Sequence, residues 1–370
     1  MGNINWSEEQ KQAIYEEGSN ILVAAAAGSG KTAVLVERII TKIINKKMDI
    51  DKMLIVTFTN AAAAEMKERI LDAIYKKLDE NPEDEHLQKQ IMLLSKANIC
   101  TIDSFCLDVV KNNFFEIDIT PNFRIADQAE IELIKQEVIE DLFEKKYIQK
   151  SEDFLELINT YTGYRGDEPL KELVLEIYKY IQSSPYPEEW IEKNIEKFNV
   201  KNSIDLREDF SKSIWGEILL ENIRDNVKDC IYGIKSILSI LKKYDELEKF
   251  YKVVCVDLDK FEELDRNLVS WDLSFETVQN FSFDKWPIDR KVTLDVKEQA
   301  KMRRDQIKKK FATVKEKMLI YSSKEAYEDI YEMYGILIKL KDLVLEFSKE
   351  FSKKKKSKNI IDFNDMEHFA

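Results

Sequence analysis

Short apolar runs rich in β-branched residues alternate with helical periodicity at the start of this chain. Residues 20–24 (NILVA) and 53–58 (MLIVTF) have strand length and composition, and residues 97–102 (ANICTI) repeat the pattern more weakly. Between them, Val34, Leu35, Ile39, Ile40 and Ile43 recur at helical spacing within residues 32–44, and residues 61–78 form a second helical stretch. Strands alternating with helices predict βαβ units and a parallel sheet. Apolar runs without in/out alternation predict strands covered on both faces. From about Gln128 the pattern is almost purely helical: Ile131, Leu133, Ile134, Val138, Ile139, Leu142 and Phe143 form one stripe, with similar stripes through residues 215–250 and 323–351. Breaks at residues 162–169, 183–187 and 282–287 read as loops, and no repeat of fixed period is found. The expected fold is an α/β domain over residues 1–115 followed by a large all-α domain.

Composition strengthens the helical reading. The 370 residues include 9 glycines and 6 prolines, far below the usual ~7% and ~5%, so helix breakers are scarce. With 44% hydrophobic and 11% aromatic residues the chain can build a core, and its length fits two or three domains. Wholesale disorder, all-β folds and collagen-like repeats are excluded. Cys100, Cys106, Cys230 and Cys255 include no CxxC pair, and His86 and His368 add no zinc-site spacing; the cysteines are expected to be reduced, buried small hydrophobes. The longest apolar run, residues 21–27, is too short to cross a bilayer, and the opening MGNINWSEEQ lacks signal-peptide character. A cytoplasmic location without membrane contact is expected.

The candidate chemistry concentrates in residues 21–32, ILVAAAAGSGKT, which follow a strand pattern and lead into an amphipathic helix. That is the context a phosphate-binding P-loop requires. Backbone N–H groups must turn inward around anionic oxygens, and Gly28 and Gly30 permit the approach. Lys31 brings a cation to the β/γ-phosphates, Thr32 offers a hydroxyl to Mg²⁺, and the helix start adds its positive end. Ala25 stands where the usual pattern has its first glycine, so the strict motif is missed by one residue. Upstream, Ser7 and Gln10 have capping-box spacing, so Gln10 is either a helix cap or, through its donor and acceptor, a partner for the edge of an adenine ring.

The loop, Gln10 and residues 55–70 (IVTFTNAAAAEMKERI) together resemble superfamily-one DNA helicases of the UvrD/Rep type, and within them the AddA-type subunits of RecBCD-like AddAB helicase–nucleases. The resemblance extends to residues 101–106 (TIDSFC), 117–127 (IDITPNFRIAD) and 361–370 (IDFNDMEHFA); it is dense over 1–130, and 130–345 is covered by helical character and position alone. It implies a RecA-like first motor lobe at residues 1–115 with an incomplete parallel sheet, a 1B-like helical insertion at 116–358, and a return segment at 359–370. ATP and Mg²⁺ are the implied cofactors. Gln10 would read adenine; Ala25, Ala26, Ala27, Gly28, Ser29, Gly30, Lys31 and Thr32 would hold the phosphates, with Lys31 and Thr32 catalytic. Single-stranded DNA would lie over Phe58, Thr59, Asn60 and Ser104, with Phe58 stacking on a base; otherwise Phe58 is a core aromatic at a strand end. The implied partners are single- and double-stranded DNA and an AddB-type subunit, in an ATP-dependent helicase/nuclease acting in double-strand break processing and recombinational repair. Two departures stand out: Asp103 where many relatives carry His, and Ala61 where UvrD-like relatives often have Lys.

An NTPase also needs acidic groups to hold Mg²⁺ and the attacking water. The candidates Asp257-Leu258-Asp259 and Asp362-Phe363-Asn364-Asp365 lack the family's DExxD pattern. The resemblance places that motif, the arginine fingers and the nuclease domain beyond Ala370, so the chain is expected to be an amino-terminal piece that does not turn over ATP by itself. The alternatives are a non-catalytic nucleotide- or DNA-binding module and a P-loop kinase, which would not need the TFTN segment. The formal charge of -13 disfavours DNA, but residues 297–317 carry nine Lys/Arg against three acids and residues 349–358 six Lys against one Glu. These read either as solvated helix faces or as a basic track for DNA that includes Arg303, Arg304, Lys308 and Lys309.

Overall fold

The computed structural model describes residues 6–26, 28–117, 119–162, 166–205, 207–288 and 295–370. Helices α1 (Glu8–Tyr15) and α2 (Lys31–Lys46) precede strand β1 (Leu54–Thr57), followed by helices α3 (Asn60–Glu80) and α4 (Glu85–Leu93). Strand β2 (Asn98–Thr101) runs into helix α5 (Ile102–Asn112), and strand β3 (Arg124–Ile125) precedes helix α6 (Gln128–Gln149). Then come α7 (Glu152–Tyr161), α8 (Glu168–Ile181), α9 (Pro187–Glu196), α10 (Lys201–Asp205), α11 (Ile214–Leu241), α12 (Glu248–Asn267), α13 (Trp271–Asn280) and α14 (Asp295–Thr313). Helix α15 (Ser323–Ser357), strand β4 (Ile360–Ile361) and helix α16 (Phe363–Phe369) close the chain. The loop expected at 162–169 lies partly outside the described residues.

Contacts divide the chain into two units, one comprising residues up to Asp141 with Lys349–Ala370, the other Leu142–Ser348. In the first, β1 and β2 pair in parallel with Leu54 opposite Asn98 and Thr57 opposite Thr101. Ile39, Ile40 and Ile43 of α2 share one core with Ile55 of β1 and Met66, Ile70 and Ile74 of α3. The spacing of three and four residues puts these side chains on one face of each helix, and each such burial is worth about 1.5–3 kcal/mol.

Two expectations fail here. Residues 20–26 form no strand: they have no ladder partner among the described residues, and Leu22 is 95% exposed. A strand exists only where a neighbour takes up its N–H and C=O groups, which an apolar run cannot supply alone. Nor is β1 covered on both faces, because Ile55 is buried while Leu54 and Val56 are exposed.

The boundaries at 115 and 358 differ from the observed division for a physical reason. β3 pairs in parallel with β4, Arg124 opposite Ile360 and Ile125 opposite Ile361, so the return segment ties back to the chain just before α6. Lys355 is buried and its Nζ donates to Asp362 Oδ2 at 2.8 Å and to both oxygens of Asp365 at 2.6 Å. Burial pushes the Asp365 carboxyl above its ordinary range while Lys355 pulls it back. Asp362 and Asp365 also form a reciprocal capping box that starts α16. Lys354 pairs with Glu137 at 2.6 Å and Lys353 with Glu350 at 2.8 Å. Of the lysines at 349–358, Lys353, Lys354 and Lys355 are thus paired fasteners, while Lys349, Lys356 and Lys358 are exposed.

The helical unit packs Leu220, Ile223, Val227, Phe250, Val254, Phe261, Trp271 and Phe311 into one core. In its basic stretch Arg304 turns inward, while Lys301, Arg303, Lys309 and Lys310 are exposed. Arg304 is 1% exposed and Asp257 is fully buried; Arg304 Nε donates to Asp257 Oδ2 at 2.6 Å, and Nη2 donates to Oδ1 at 3.0 Å. Nη2 also donates to the Asp284 carbonyl at 2.8 Å, fastening the 282–287 loop, while Lys308 lies over the Phe283 ring and Lys310 pairs with Asp229. The expected DNA track therefore loses Arg304 to the core. At the start of α6, Leu133 is 72% exposed although the other members of its stripe are buried. At about 100° per residue, Leu133 projects roughly 180° from the line through Ile131, Val138 and Leu142. All four cysteines are free, but Cys100 and Cys255 are half-buried and only Cys106 and Cys230 fully so. Burial raises the Cys230 thiol to about 11.

Candidate functional site

The glycine loop is built by backbone geometry that its sequence demands. Gly28 and Gly30 take φ of 80° and 83°, the left-handed region where a Cβ is costly. Gly30 is the N-cap of α2 and offers no side-chain cap, so the first N–H groups of the helix remain available for an anion. Lys31 folds back over the loop, its Nζ donating to the carbonyls of Ala25 at 2.7 Å and Ala26 at 2.8 Å. Thr32 is exposed beside it, and the Ser29 N–H donates to the Ala26 carbonyl at 3.3 Å. Ala27 lies outside the described residues.

Gln10 takes the helix-cap reading of its role, and its side chain also reaches the glycine loop. It completes the capping box of α1, its Oε1 accepting from the Ser7 N–H at 2.9 Å while its own N–H donates to Ser7 Oγ at 3.3 Å. Its remaining amide group reaches the loop, Nε2 donating to the Ser29 carbonyl at 3.2 Å. Between α1, residues 23–25 and α2 lies a cavity of about 440 Å³ that Gln10, Ala25, Ser29 and Lys31 line together with Ala13, Val34 and Arg38. Leu35, expected in the core stripe of α2, also lines this cavity and is partly exposed. A mostly apolar pocket with amide and cationic groups at its rim suits a flat heterocycle joined to an anion.

Arg38 was not marked by the sequence. Its Nη1 donates to the carbonyls of Ala13 at 2.7 Å and Ile14 at 3.2 Å. The available signal was spacing: Arg38 follows Lys31 by seven residues, nearly two turns, and so shares its helix face.

The expected DNA contacts gather at the C-terminal ends of β1 and β2, where α3 and α5 begin side by side. Phe58 is fully exposed, which removes the core-aromatic reading. Thr59 caps α3, its Oγ1 accepting from the Ala62 N–H at 3.1 Å, and Thr101 caps α5, accepting from the Ser104 N–H at 3.2 Å. Ser104 Oγ lies 2.9 Å from Thr101 Oγ1 and donates to Asn60 Oδ1 at 3.5 Å, linking the two helix starts. Adjacent helix N-termini present positive dipole ends to an anion, and Asp103, exposed in the first turn of α5, offsets part of that field.

The acid candidates are engaged elsewhere, Asp257 by Arg304 and Asp362 and Asp365 by Lys355. Among the described residues no three His, Cys, Asp or Glu side chains are grouped to hold a metal ion. The exposed Thr32 hydroxyl would be the side-chain ligand this loop offers to a Mg²⁺ ion.

Loop and helix start define the class as a P-loop NTPase. The family described as UvrD/REP helicase N-terminal domain matches residues 6–370. The chain belongs to that family. A relative in Acetivibrio thermocellus, named as the A subunit of an ATP-dependent helicase/nuclease, is 42% identical over 373 residues, covering 99% of this chain and 30% of the relative. The protein of the same name in Clostridioides difficile is 42% identical over 381 residues, covering 100% of this chain and 30% of its own length. The chain thus spans about 30% of the length of these relatives.

Proposed function

We propose that this chain is the amino-terminal motor portion of an ATP-dependent DNA helicase/nuclease that acts in double-strand break processing and recombinational repair. ATP with Mg²⁺ binds at the glycine loop, Lys31 on the phosphates, Thr32 on the metal and Gln10 on the adenine edge. Bound Mg²⁺ supplies charge neutralisation at the β/γ-phosphates. Single-stranded DNA crosses the start of α3 and α5, with Phe58 stacking and Thr59, Asn60 and Ser104 holding its backbone. The whole protein, in the cytoplasm, engages double-stranded DNA and a partner of the AddB type. The observation that carries the reading is the meeting of Gln10 and Lys31 at one cavity beside the loop. No helix among the described residues is long and apolar enough to cross a membrane.

Steady-state ATPase assays with and without single-stranded DNA test the proposed division of labour. Turnover by the 370-residue chain is expected to be negligible, because the candidate carboxylates Asp257, Asp362 and Asp365 are held by Arg304 and Lys355. Robust DNA-stimulated hydrolysis by this chain would falsify that expectation.

Titration of labelled oligonucleotides at several salt concentrations tests the strand contact. Phe58→Ala is expected to weaken single-strand binding by about 1–3 kcal/mol whatever the base, with little change in salt slope, because stacking is sequence-tolerant and uncharged. Wild-type affinity in that variant removes Phe58 from the binding surface.

A further inference from the structure

Helix α1 spans eight residues, and Ile14 is its buried member. So short a helix is marginal by itself and depends on what holds its ends. Its first turn is secured by the Ser7–Gln10 capping box, but its last turn carries no basic residue to meet the carbonyls there. The Glu16 N–H takes the Gln12 carbonyl at 2.9 Å. The next two carbonyls, Ala13 and Ile14, are taken by Arg38 from the neighbouring helix α2.

This contact joins the two halves of the proposed nucleotide site at their far end. Lys31 and Arg38 lie seven residues apart on one face of α2, about 10 Å along its axis. Gln10 precedes the clamped carbonyls by three and four residues, about 4.5–6 Å along α1. At the near end, Gln10 Nε2 meets the Ser29 carbonyl. Without the far contact, α1 can tilt about its capped start, and a tilt of about ten degrees moves Gln10, ~4.5 Å from that start, by roughly 0.8 Å, enough to carry its amide out of hydrogen-bonding range.

We propose that Arg38 is a positioning residue for adenine recognition: by bridging the carbonyls of Ala13 and Ile14 it fixes α1 against α2 and so sets Gln10 at the base. The inference rests on the reading of Gln10 as the adenine contact. Arg38 holds the end of α1 rather than the phosphates, so its loss is selective for the base.

Calorimetric titration with ATP and with inorganic tripolyphosphate, both with Mg²⁺, separates the two halves of the ligand. In Arg38→Ala, ATP affinity is expected to fall about tenfold, the worth of one well-placed hydrogen bond, while tripolyphosphate affinity stays within about twofold. Gln10→Ala should show the same pattern, the double variant should be no weaker than either single one, and Arg38→Lys should recover part of the loss, since an ammonium can donate to both carbonyls. Equal losses for ATP and tripolyphosphate, or additive losses in the double variant, would overturn the proposal, since Arg38 would then act on the loop or the fold.

Amide hydrogen exchange keeps the two readings apart. Arg38→Ala should speed exchange in residues 8–15 while residues 31–46 keep their protection, whatever the nucleotide result. If Gln10→Ala leaves ATP binding unchanged but α1 loosens in Arg38→Ala, the adenine reading of Gln10 fails and the clamp stands. Unchanged exchange in α1 refutes the clamp itself.

Discussion

Replacing Arg304 with methionine while Asp257 remains is expected to destabilise the helical unit by about 3–5 kcal/mol. The two charges are among the least exposed side chains in that unit, at 1% and 0%, and they satisfy one another in a two-point geometry of 2.6 Å and 3.0 Å. Removing the guanidinium leaves a carboxylate in an apolar core and also frees the Asp284 carbonyl. The flanking rings of Phe283 and Trp286, each 5.4 Å from the guanidinium carbon, lose their cation as well. Replacing both partners, Arg304→Met with Asp257→Leu, should recover most of the loss, because the penalty lies in the unpaired charge more than in the missing attraction. Urea unfolding followed through the tryptophan signal of this unit measures both variants. The loss should persist at high salt, since ions screen buried pairs weakly. A change below about 1 kcal/mol would mean that the pair behaves as a solvated surface bridge.

The same residue shows where sequence reading stops. Arg304 sits in a 21-residue stretch, 297–317, with nine basic residues, and the sum of local charge says nothing about which of them turns inward. Its partner Asp257 is 47 positions away, on a different helix, so the pair exists only once α12 and α14 are packed. Lys355 escaped for the same kind of reason, although Asp362 and Asp365 are near in sequence, because the turn after α15 decides that the three meet. By contrast, α2, α3, β1 and β2 were legible, since periodicity and β-branched runs are local signals, and the parallel pairing of β1 with β2 follows from the helices between them. Residues 20–24 carry the same strand signal, but a ladder needs a partner and composition does not provide one. At the site, Gly28, Gly30 and Lys31 were readable because the loop's chemistry is written in consecutive positions. Arg38 was not, since its role lies in a contact with the backbone of another helix and its side-chain type is not tied to any ligand.

Lys31→Ala is expected to reduce ATP affinity by at least about a hundredfold, from the loss of charge-assisted hydrogen bonds of ~1.5–3 kcal/mol each in a partly enclosed site. Lys31 and Arg38 are the cations lining the cavity, and the Nη1 of Arg38 is committed to the end of α1. The Lys31 ammonium donates to the carbonyls of Ala25 and Ala26, whose oxygens would repel a phosphate left alone with them. Its removal therefore takes away an attraction and exposes two unfavourable dipoles. Lys31→Arg should not restore binding, because a planar guanidinium is larger than the ammonium and cannot converge on the same point. Thr32→Ala should act differently, weakening the Mg²⁺-dependent part of the affinity while leaving metal-free binding nearly as it was. Lys31 is exposed, so the substitution should change folding stability by no more than about 0.5 kcal/mol, and a binding loss cannot then be ascribed to unfolding. Calorimetry with ATP, with and without Mg²⁺, on wild type and the three variants measures each effect. An ATP dissociation constant unchanged in Lys31→Ala would remove the loop from the nucleotide site, and with it the adenine role of Gln10.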